Sequence, residues 1–356
     1  MTREENGAQR VAVAMSGGVD SAVSALLLRQ EGADVAGVTM RLYSENDADP
    51  ESDDIRDARG VAERLGIPHL VCDLGSEFRR QVIQSFCKEY AAGRTPNPCV
   101  VCNQYIKFGA LFDFVRAKGY DTLATGHYAR LERDEQCRVR IRVAADATKD
   151  QTYVLWSLKQ EVLRHVRFPL GEITKEQARA LAEQNGFVNA HRRDSQDICF
   201  IPNGDYVQFL ARYAGITPTP GNYLDTGGAI IGKHKGMLCY TIGQRKGLGM
   251  SFGKHMFVCE KNAADNTVTL CDGEELFRHT LTASRVNWIS GECPASPVRA
   301  QAKIRYAQRA ADATVFPMEN GRVRVEFDEA QRAIAPGQSV VFYDGEYLLG
   351  GGIIDA

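Results

Sequence analysis

The feature that most restricts the fold of this chain is a junction: a short apolar run gives way to Ser16-Gly17-Gly18-Val19-Asp20-Ser21 and then to a helix-like run. Val11–Met15 reads as a strand and Val19–Gln30 as a helix stopped by Gly32. Adjacent glycines let the backbone turn tightly and aim successive N–H groups at an anion. The helix adds the positive end of its dipole, and Ser16 and Ser21 add hydroxyl donors. Asp20 is suited to hold Mg²⁺ against phosphates. No Gly-Lys-Ser/Thr follows, so the loop is not of the Walker type that grips a transferred γ-phosphate. A Gly-Gly turn alone would be a structural corner. Ser-Gly-Gly-x-Asp-Ser at the carboxyl end of a first strand favours a phosphate site.

The rhythm set there continues. Val35–Met40, His69–Asp73 and Thr122–Thr125 read as strands, and Asp53–Leu65, Glu77–Ala92 and Asn103–Lys118 as helices. Such βαβα alternation predicts an α/β fold, a doubly wound parallel sheet with helices on both faces, whose ligands bind beyond the carboxyl ends of its strands. The pattern changes after about Pro202. Glycine and proline cluster at Gly215–Gly221 and Gly227–Gly232, which suggests a small middle domain. From about Glu275 the chain reads as all-β: Val298–Tyr306, Ala313–Phe316, Arg322–Phe327, Ser339–Tyr343 and Tyr347–Ile353 are short strands parted by turn signals, as in a small barrel. The expected division is a catalytic domain over 1–202, a central domain over 203–274 and a β-barrel-like domain over 275–356.

Hydrophobic residues at 44% and charged residues at 25% are ordinary for a soluble protein. No apolar run approaches a membrane span and the first ten residues hold no apolar signal core, so a cytoplasmic protein is expected. The net charge of −2 excludes a protein basic all over but not a local basic face. From Thr226 to Cys259 there is no Asp or Glu, while Lys233, His234, Lys235, Arg245, Lys246, Lys254 and His255 occur. Arg138-Val-Arg140-Ile-Arg142 alternates so that a strand there presents three guanidinium groups on one face. Each stretch alone would be a solvated surface; beside the motifs below, both are expected to meet nucleic acid.

Of ten cysteines, Cys72, Cys87, Cys137, Cys239, Cys259, Cys271 and Cys293 sit in apolar or strand-like stretches and read as small core residues. Cys99 and Cys102 fall in Arg94-Thr-Pro-Asn97-Pro98-Cys99-Val-Val-Cys102-Asn103. Two prolines argue against regular helix there, and Asn103 is suited to begin the helix that follows. Cys102 is then expected at a helix N-terminus, where the positive end lowers a thiol pKa. The spacing is equally compatible with half a zinc site, a dithiol pair, or one working thiol with an accidental neighbour; no second Cys-x-x-Cys or suitably spaced His pair follows. Cys199, in Asp194-Ser-Gln-Asp-Ile-Cys199-Phe-Ile201, is either a buried strand cysteine or the partner of a thiol relay.

Ala14–Ser21 resembles the PP-loop of the ATP-pyrophosphatase superfamily, whose enzymes attach AMP to a substrate oxygen for a nucleophile to displace. The resemblance narrows with Thr95–Asn103, Ala124-Thr-Gly-His-Tyr128, Lys149-Asp150-Gln151, Asp194–Ile201 and Tyr240-Thr-Ile-Gly-Gln-Arg-Lys-Gly-Leu-Gly249. In that order and along nearly the whole chain, these blocks are similar to those of the tRNA-specific 2-thiouridylase family.

The resemblance implies ATP bound by Ala14, Met15, Ser16, Gly17, Gly18, Val19, Asp20 and Ser21, with Met40 and Gly126 lining the pocket and Mg²⁺ held transiently at Asp20. It implies Cys199 as the persulfide carrier and Cys102 as the second thiol, the pair ending as a disulfide. Asn97, Pro98 and Cys99 would lie against the target base, and many family members carry Asp where Cys99 stands. His127, Lys149, Asp150, Gln151, Arg305, Tyr306 and Gln338 would serve the tRNA. The implied partners are tRNA and a cysteine desulfurase or sulfur-relay protein; the implied products are 2-thiouridine, AMP and pyrophosphate. Two rivals remain. An amide-forming PP-loop ligase leaves the thiols without a task. An RNA-binding protein with a metal or iron–sulfur site at Cys99, Cys102 and Cys199 leaves the phosphate loop without one.

Overall fold

The computed structural model describes residues 9–43, 52–190, 192, 198–251 and 253–355. Its first sheet is built from β1 (Arg10–Ala14), β2 (Asp34–Arg41), β3 (His69–Asp73), β4 (Thr122–Thr125) and, past the hairpin of β5 (Arg130–Arg133) and β6 (Val139–Arg142), the short β7 (Val166–Arg167). The strand order is β3-β2-β1-β4-β7 and every pairing is parallel. Alternation along β1 explains two-sided burial. Val11 and Val13 pack with helix α1 (Val19–Gln30), α2 (Asp53–Leu65) and the helix Lys175–Gln184. Ala12 instead faces Phe78, Phe86, Ile106 and Leu111 of the helices over 75–91 and 98–117. The doubly wound α/β expectation therefore holds. Strand order reverses at β1, so the loops after β1 and β4 flank the crevice where such sheets bind ligands.

The helix after Arg94 starts earlier than the sequence suggested. Asn97 is its N-cap, accepting the Cys99 backbone N–H at 3.1 Å, and Pro98 occupies the first helical position, where no N–H is missed. The helix runs through Pro98–Cys102, a π-helical stretch over Asn103–Leu111, and Phe112–Ala117. Cys102 thus lies at the end of the first turn, and Cys99 is the thiol beside the N-cap.

The middle region carries the helix Tyr206–Ala214 and a four-stranded sheet of β8 (Gly221–Leu224), β9 (Ile230–His234), β10 (Phe257–Asn262) and β11 (Thr267–Cys271), in the order β10-β11-β8-β9. Six strands then close on themselves: β12 (Phe277–Trp288), β13 (Val298–Lys303), β14 (Ala311–Pro317), β15 (Val323–Arg332), β16 (Ser339–Asp344) and β17 (Tyr347–Ile354). They run β12-β15-β14-β13-β16-β17, and β12 pairs again with β17. The twelve-residue β12, absent from the sequence-based strands, closes the barrel by pairing at both edges.

Two further expectations are corrected. The Arg138–Arg142 stretch forms β6 but is not an open cationic stripe. Arg138 pairs with Asp134 at 3.0 Å, Arg142 reaches Glu132 at 2.8 Å and Glu346 at 2.7 Å, and Arg140 lies over the Tyr347 ring at 3.6 Å. These groups bind the β5–β6 hairpin to itself and to β17 of the barrel. Among the cysteines, Cys72, Cys87 and Cys271 are buried, but Cys137 and Cys293 are exposed, in a turn and in a loop, and are not core residues.

Candidate active site

The loop after β1 is shaped from within. Gly17 adopts φ +69°, a conformation that favours glycine, and its carbonyl accepts from Asn189 Nδ2 at 2.8 Å and Arg192 Nη1 at 3.3 Å. Ser21 Oγ accepts the Ser16 N–H at 3.2 Å and donates to the Gly18 carbonyl at 3.0 Å. The hydroxyl expected to meet phosphate thus also ties the loop shut. Ser16 is exposed, and α1 opens at the Gly18 N-cap with no side-chain cap. Opposite, Gly126 closes on the helix start so tightly that a Cβ would lie 2.9 Å from the Asp20 carbonyl carbon and the Ser21 nitrogen. Met40 is the penultimate residue of β2, the neighbour of β1.

Sequence reading missed the partner of Asp20. Lys175, 5% exposed, places Nζ 2.7 and 2.8 Å from the two Asp20 carboxylate oxygens, and the Tyr128 hydroxyl donates to Oδ1 at 2.9 Å. A buried ammonium needs such a partner. Lys175 opens a helix capped by a Thr174–Gln177 capping box, a local signal that was readable although its meeting with Asp20 was not. The Asp20 side chain stays 33% exposed, so a cation can reach it from the crevice while Lys175 holds it from beneath.

The cysteine side is built around residues 94–102. Arg94 donates to Glu89 at 2.6 Å and to the Ile354 carbonyl at 3.1 Å. The Thr95 N–H reaches the Pro336 carbonyl at 2.8 Å, and Gln338 Nε2 donates to the Thr95 carbonyl at 2.8 Å. Gln338 therefore fixes the cysteine loop from the barrel side. Cys199 is exposed in a turn closed by the Ile201 N–H on the Ile198 carbonyl, 2.8 Å, which excludes the buried-strand reading. Phe200 anchors that turn among Phe78, Phe86 and Phe209, with ring centroids 5.3–5.7 Å apart. Asp194–Asp197 of the same motif lie outside the described residues.

Cys99, Cys102 and Cys199 meet: a charge on Cys99 or Cys199 is felt at Cys102, and a charge on Cys99 is felt at Cys199. Burial pushes all three thiols up, Cys102 to about 12. This overturns the expectation of a depressed Cys102 pKa: one turn inside the helix, desolvation outweighs the dipole. The opposing influence shared by all three is the Lys107 ammonium. Among the described residues, no group of three or more His, Cys, Asp or Glu side chains is arranged to hold a metal ion.

The residues assigned to tRNA divide. Tyr306 is 45% exposed, donates its hydroxyl to the Asp150 carbonyl at 3.0 Å, and is near enough to Cys99 to feel its charge. Arg305 spends its guanidinium on the Ala333 carbonyl at 2.7 Å and the Ile242 carbonyl at 3.4 Å, joining barrel to middle region. Asp150 caps its own turn through Thr152 Oγ1 at 2.7 Å, and burial pushes its carboxyl up. Gln151 accepts the Tyr128 N–H at 3.0 Å, while Lys149 is half-buried. His127 is enclosed. Its ring meets Thr125 Oγ1 at 2.7 Å, lies between Phe108 and Phe168, and is held neutral by burial, so it orders the β4 loop. His234 is likewise structural: it is 2% exposed, with Nδ1 accepting the Gly236 N–H at 3.0 Å. Lys254 pairs with Asp272 at 3.1 Å. Lys233, Lys235, Arg245 and Lys246 are exposed.

A glycine-rich loop at the switch point of a parallel sheet, with a cysteine cluster on the same region and two further sheets after it, defines an α/β protein of the nucleotide-binding kind. Comparison with known proteins makes this specific. Residues 9–203 match the tRNA methyl transferase HUP domain, 207–272 the tRNA methyl transferase PRC-barrel domain, and 278–354 the Aminomethyltransferase beta-barrel domain. The tRNA-specific 2-thiouridylase MnmA of Clostridioides difficile is 45% identical over 98% of this chain and 98% of its own. That of Treponema denticola is 46% identical over 98% of both chains, and that of Acetivibrio thermocellus 44% over 97% of this chain and 99% of its own. The chain belongs to the tRNA-specific 2-thiouridylase family.

Proposed function

We propose that this chain is an ATP-dependent tRNA 2-thiouridylase in which Cys199 carries sulfur and Cys102 releases it. The observation that carries this reading is the meeting of Cys99, Cys102 and Cys199 from two separate segments, around a Lys107 ammonium that also acts on His127 in the loop after β4. A uridine 2-carbonyl is a poor electrophile because its oxygen leaves badly. Attack of that oxygen on the α-phosphorus of ATP forms a C2–O–P bond and expels pyrophosphate, which the loop amides, the α1 N-terminus and Ser16 are placed to receive. Mg²⁺ at Asp20 would supply charge neutralisation for the phosphates.

The terminal sulfur of a Cys199 persulfide then attacks C2 and AMP departs with the oxygen, leaving a C2–S–S–Cys199 linkage. The Cys102 thiolate attacks the Cys199 sulfur. The old S–S bond breaks, its electron pair stays on the 2-sulfur, and a Cys102–Cys199 disulfide remains. The two thiols thus supply the two electrons that reduce the sulfane sulfur. A cysteine desulfurase or sulfur-relay protein reloads Cys199, and a dithiol reductant resets the disulfide. Cys99, with Asn97 and Pro98, stands where a flipped base would enter, and the exposed Tyr306 ring offers it a stacking face. Lys233, Lys235, Arg245 and Lys246 would take phosphates of the tRNA body.

The division into 1–202, 203–274 and 275–356 belongs to the same proposal. So does a cytoplasmic location; among the described residues no helix is long and apolar enough to cross a membrane. The test is a split assay with tRNA, ATP and a persulfide donor. Cys199→Ser is expected to lose both persulfide and 2-thiouridine. Cys102→Ser is expected to keep the persulfide but make no product over repeated turnovers. Full persulfide-dependent activity in Cys199→Ser refutes the assignment.

A further inference from the structure

Lys107 has no place in the scheme above, yet it is the cation shared by the whole thiol cluster. Its ammonium acts on Cys99, Cys102, Cys199 and the neutral His127. It stands five residues beyond Cys102 and eight beyond Cys99 on the same continuous helix. In a regular α-helix, positions five apart point to different faces. Here the helix is π-wound from Asn103 to Leu111, and i→i+5 closure brings position 107 back over position 102. Lys107 is half-buried, and among the described residues no carboxylate forms a salt bridge with it. A half-buried ammonium without a fixed counter-ion is costly unless a negative charge arises beside it.

That charge arises in the reaction. The groups acting on Cys102 are Lys107, Cys199 and Cys99; those acting on Cys199 are Cys99, Lys107 and the backbone amides of Cys199 and Phe200. Among the described residues, every sulfur neighbour disfavours a thiolate, and Lys107 is the one side-chain cation acting on both thiols.

We propose that Lys107 is a positioning residue for sulfur transfer, held over the thiol cluster by the π-helical segment so that its ammonium stabilises whichever of Cys102 or the Cys199 persulfide is anionic. It acts through the sulfurs and has no bond of its own to make or break. The inference rests on the thiol roles proposed above, but its readout does not.

Alkylation of the individual cysteines of the full chain by iodoacetamide, followed by peptide mass spectrometry from pH 6.5 to 9.5 without tRNA, tests it. In Lys107→Met the Cys102 and Cys199 rates at neutral pH are expected to fall on the order of tenfold, the loss that a one-unit rise in pKa produces. Lys107→Arg is expected to restore most of the rate, because the charge returns. Exposed Cys293 reports reagent strength, and buried Cys72 and Cys87 report any loosening of the fold. If Lys107→Met exposes those two, Lys107→Gln carries the same expectation. Unchanged Cys102 and Cys199 profiles in the neutral variant overturn the proposal, as does an equal loss in Lys107→Arg with Cys72 and Cys87 still protected. Neither result touches the thiolation reading, which stands or falls on the nucleoside assay.

Discussion

The two halves of the site are assembled in different ways. The phosphate side is made by one sheet and its own helices: Ser21, Asn189, Tyr128 and Lys175 all close on the loop after β1 from within the α/β region. The cysteine side is also held from outside. Thr95 and Arg94 are gripped by Pro336, Gln338 and Ile354 of the barrel region, and Tyr306 reaches across to Asp150. The phosphate loop is therefore shaped by the α/β region alone, whereas the segment leading to Cys99 and Cys102 is also fastened to a second region; on the function proposed above, nucleotide activation would be intrinsic to the first region and sulfur delivery would depend on both.

The comparison is broken most severely by Asp20→Ala, which acts on the first half alone. Pyrophosphate release with tRNA and ATP is expected to fall by about 10²-fold or more, while persulfide still loads on Cys199. Normal pyrophosphate release in that variant would show that the loop has been misread. Gly337→Ala attacks the other half. Gly337 has φ +90°, and a Cβ there would lie 2.9 Å from the Thr95 nitrogen, against backbone that cannot yield. A cost of about 1–3 kcal/mol is expected, seen as a lower Tm, with thiouridine formation reduced more than pyrophosphate release. Equal loss of both activities would mean that the halves are not separately supported.

The smallest effect concerns His127, which lies beneath both halves. Burial holds its pKa well below 6.5 in the folded chain, so the unfolded state binds the proton more readily. Its contribution to stability is complete above about pH 6.5, the unfolded value, and is lost progressively as the pH falls toward the folded value. The decline of Tm between pH 6.5 and 5 is expected to be shallower in His127→Phe than in the unaltered chain. Identical slopes would remove His127 as the cause.

What was legible in the sequence follows the range of each interaction. The phosphate loop was readable because strand, glycines and helix start are contiguous. The Asp20–Lys175 pair was not, because its partners are 155 positions apart and either charge alone passes for a surface group. Asn97-Pro98 carried a readable helix start, N-cap then proline, that was taken for irregular chain because proline was weighed as a breaker. Lys107 was hidden because α-helical spacing separates it from Cys102 and only π-winding reunites them. His127 was expected near the tRNA and His234 in a cationic window, yet both are polar residues enclosed by aromatic rings. The arginines of 138–142 alternate as expected for a strand, but sequence alone did not reveal Glu132 and Glu346 facing them.

The docking of Arg94 on Ile354 has a consequence for the order in which the molecule matures. Strand β17 ends at Ile354, pairs with β12 and lies about 250 residues downstream of the cysteine loop it secures. During synthesis the α/β region emerges first and can fold as a unit. A growing chain therefore carries a finished phosphate loop well before Arg94 and Thr95, just ahead of the cysteines, have their barrel partners. Ribosome-bound chains halted before β17 are expected to protect α1 amides from exchange while leaving the Thr95 amide open.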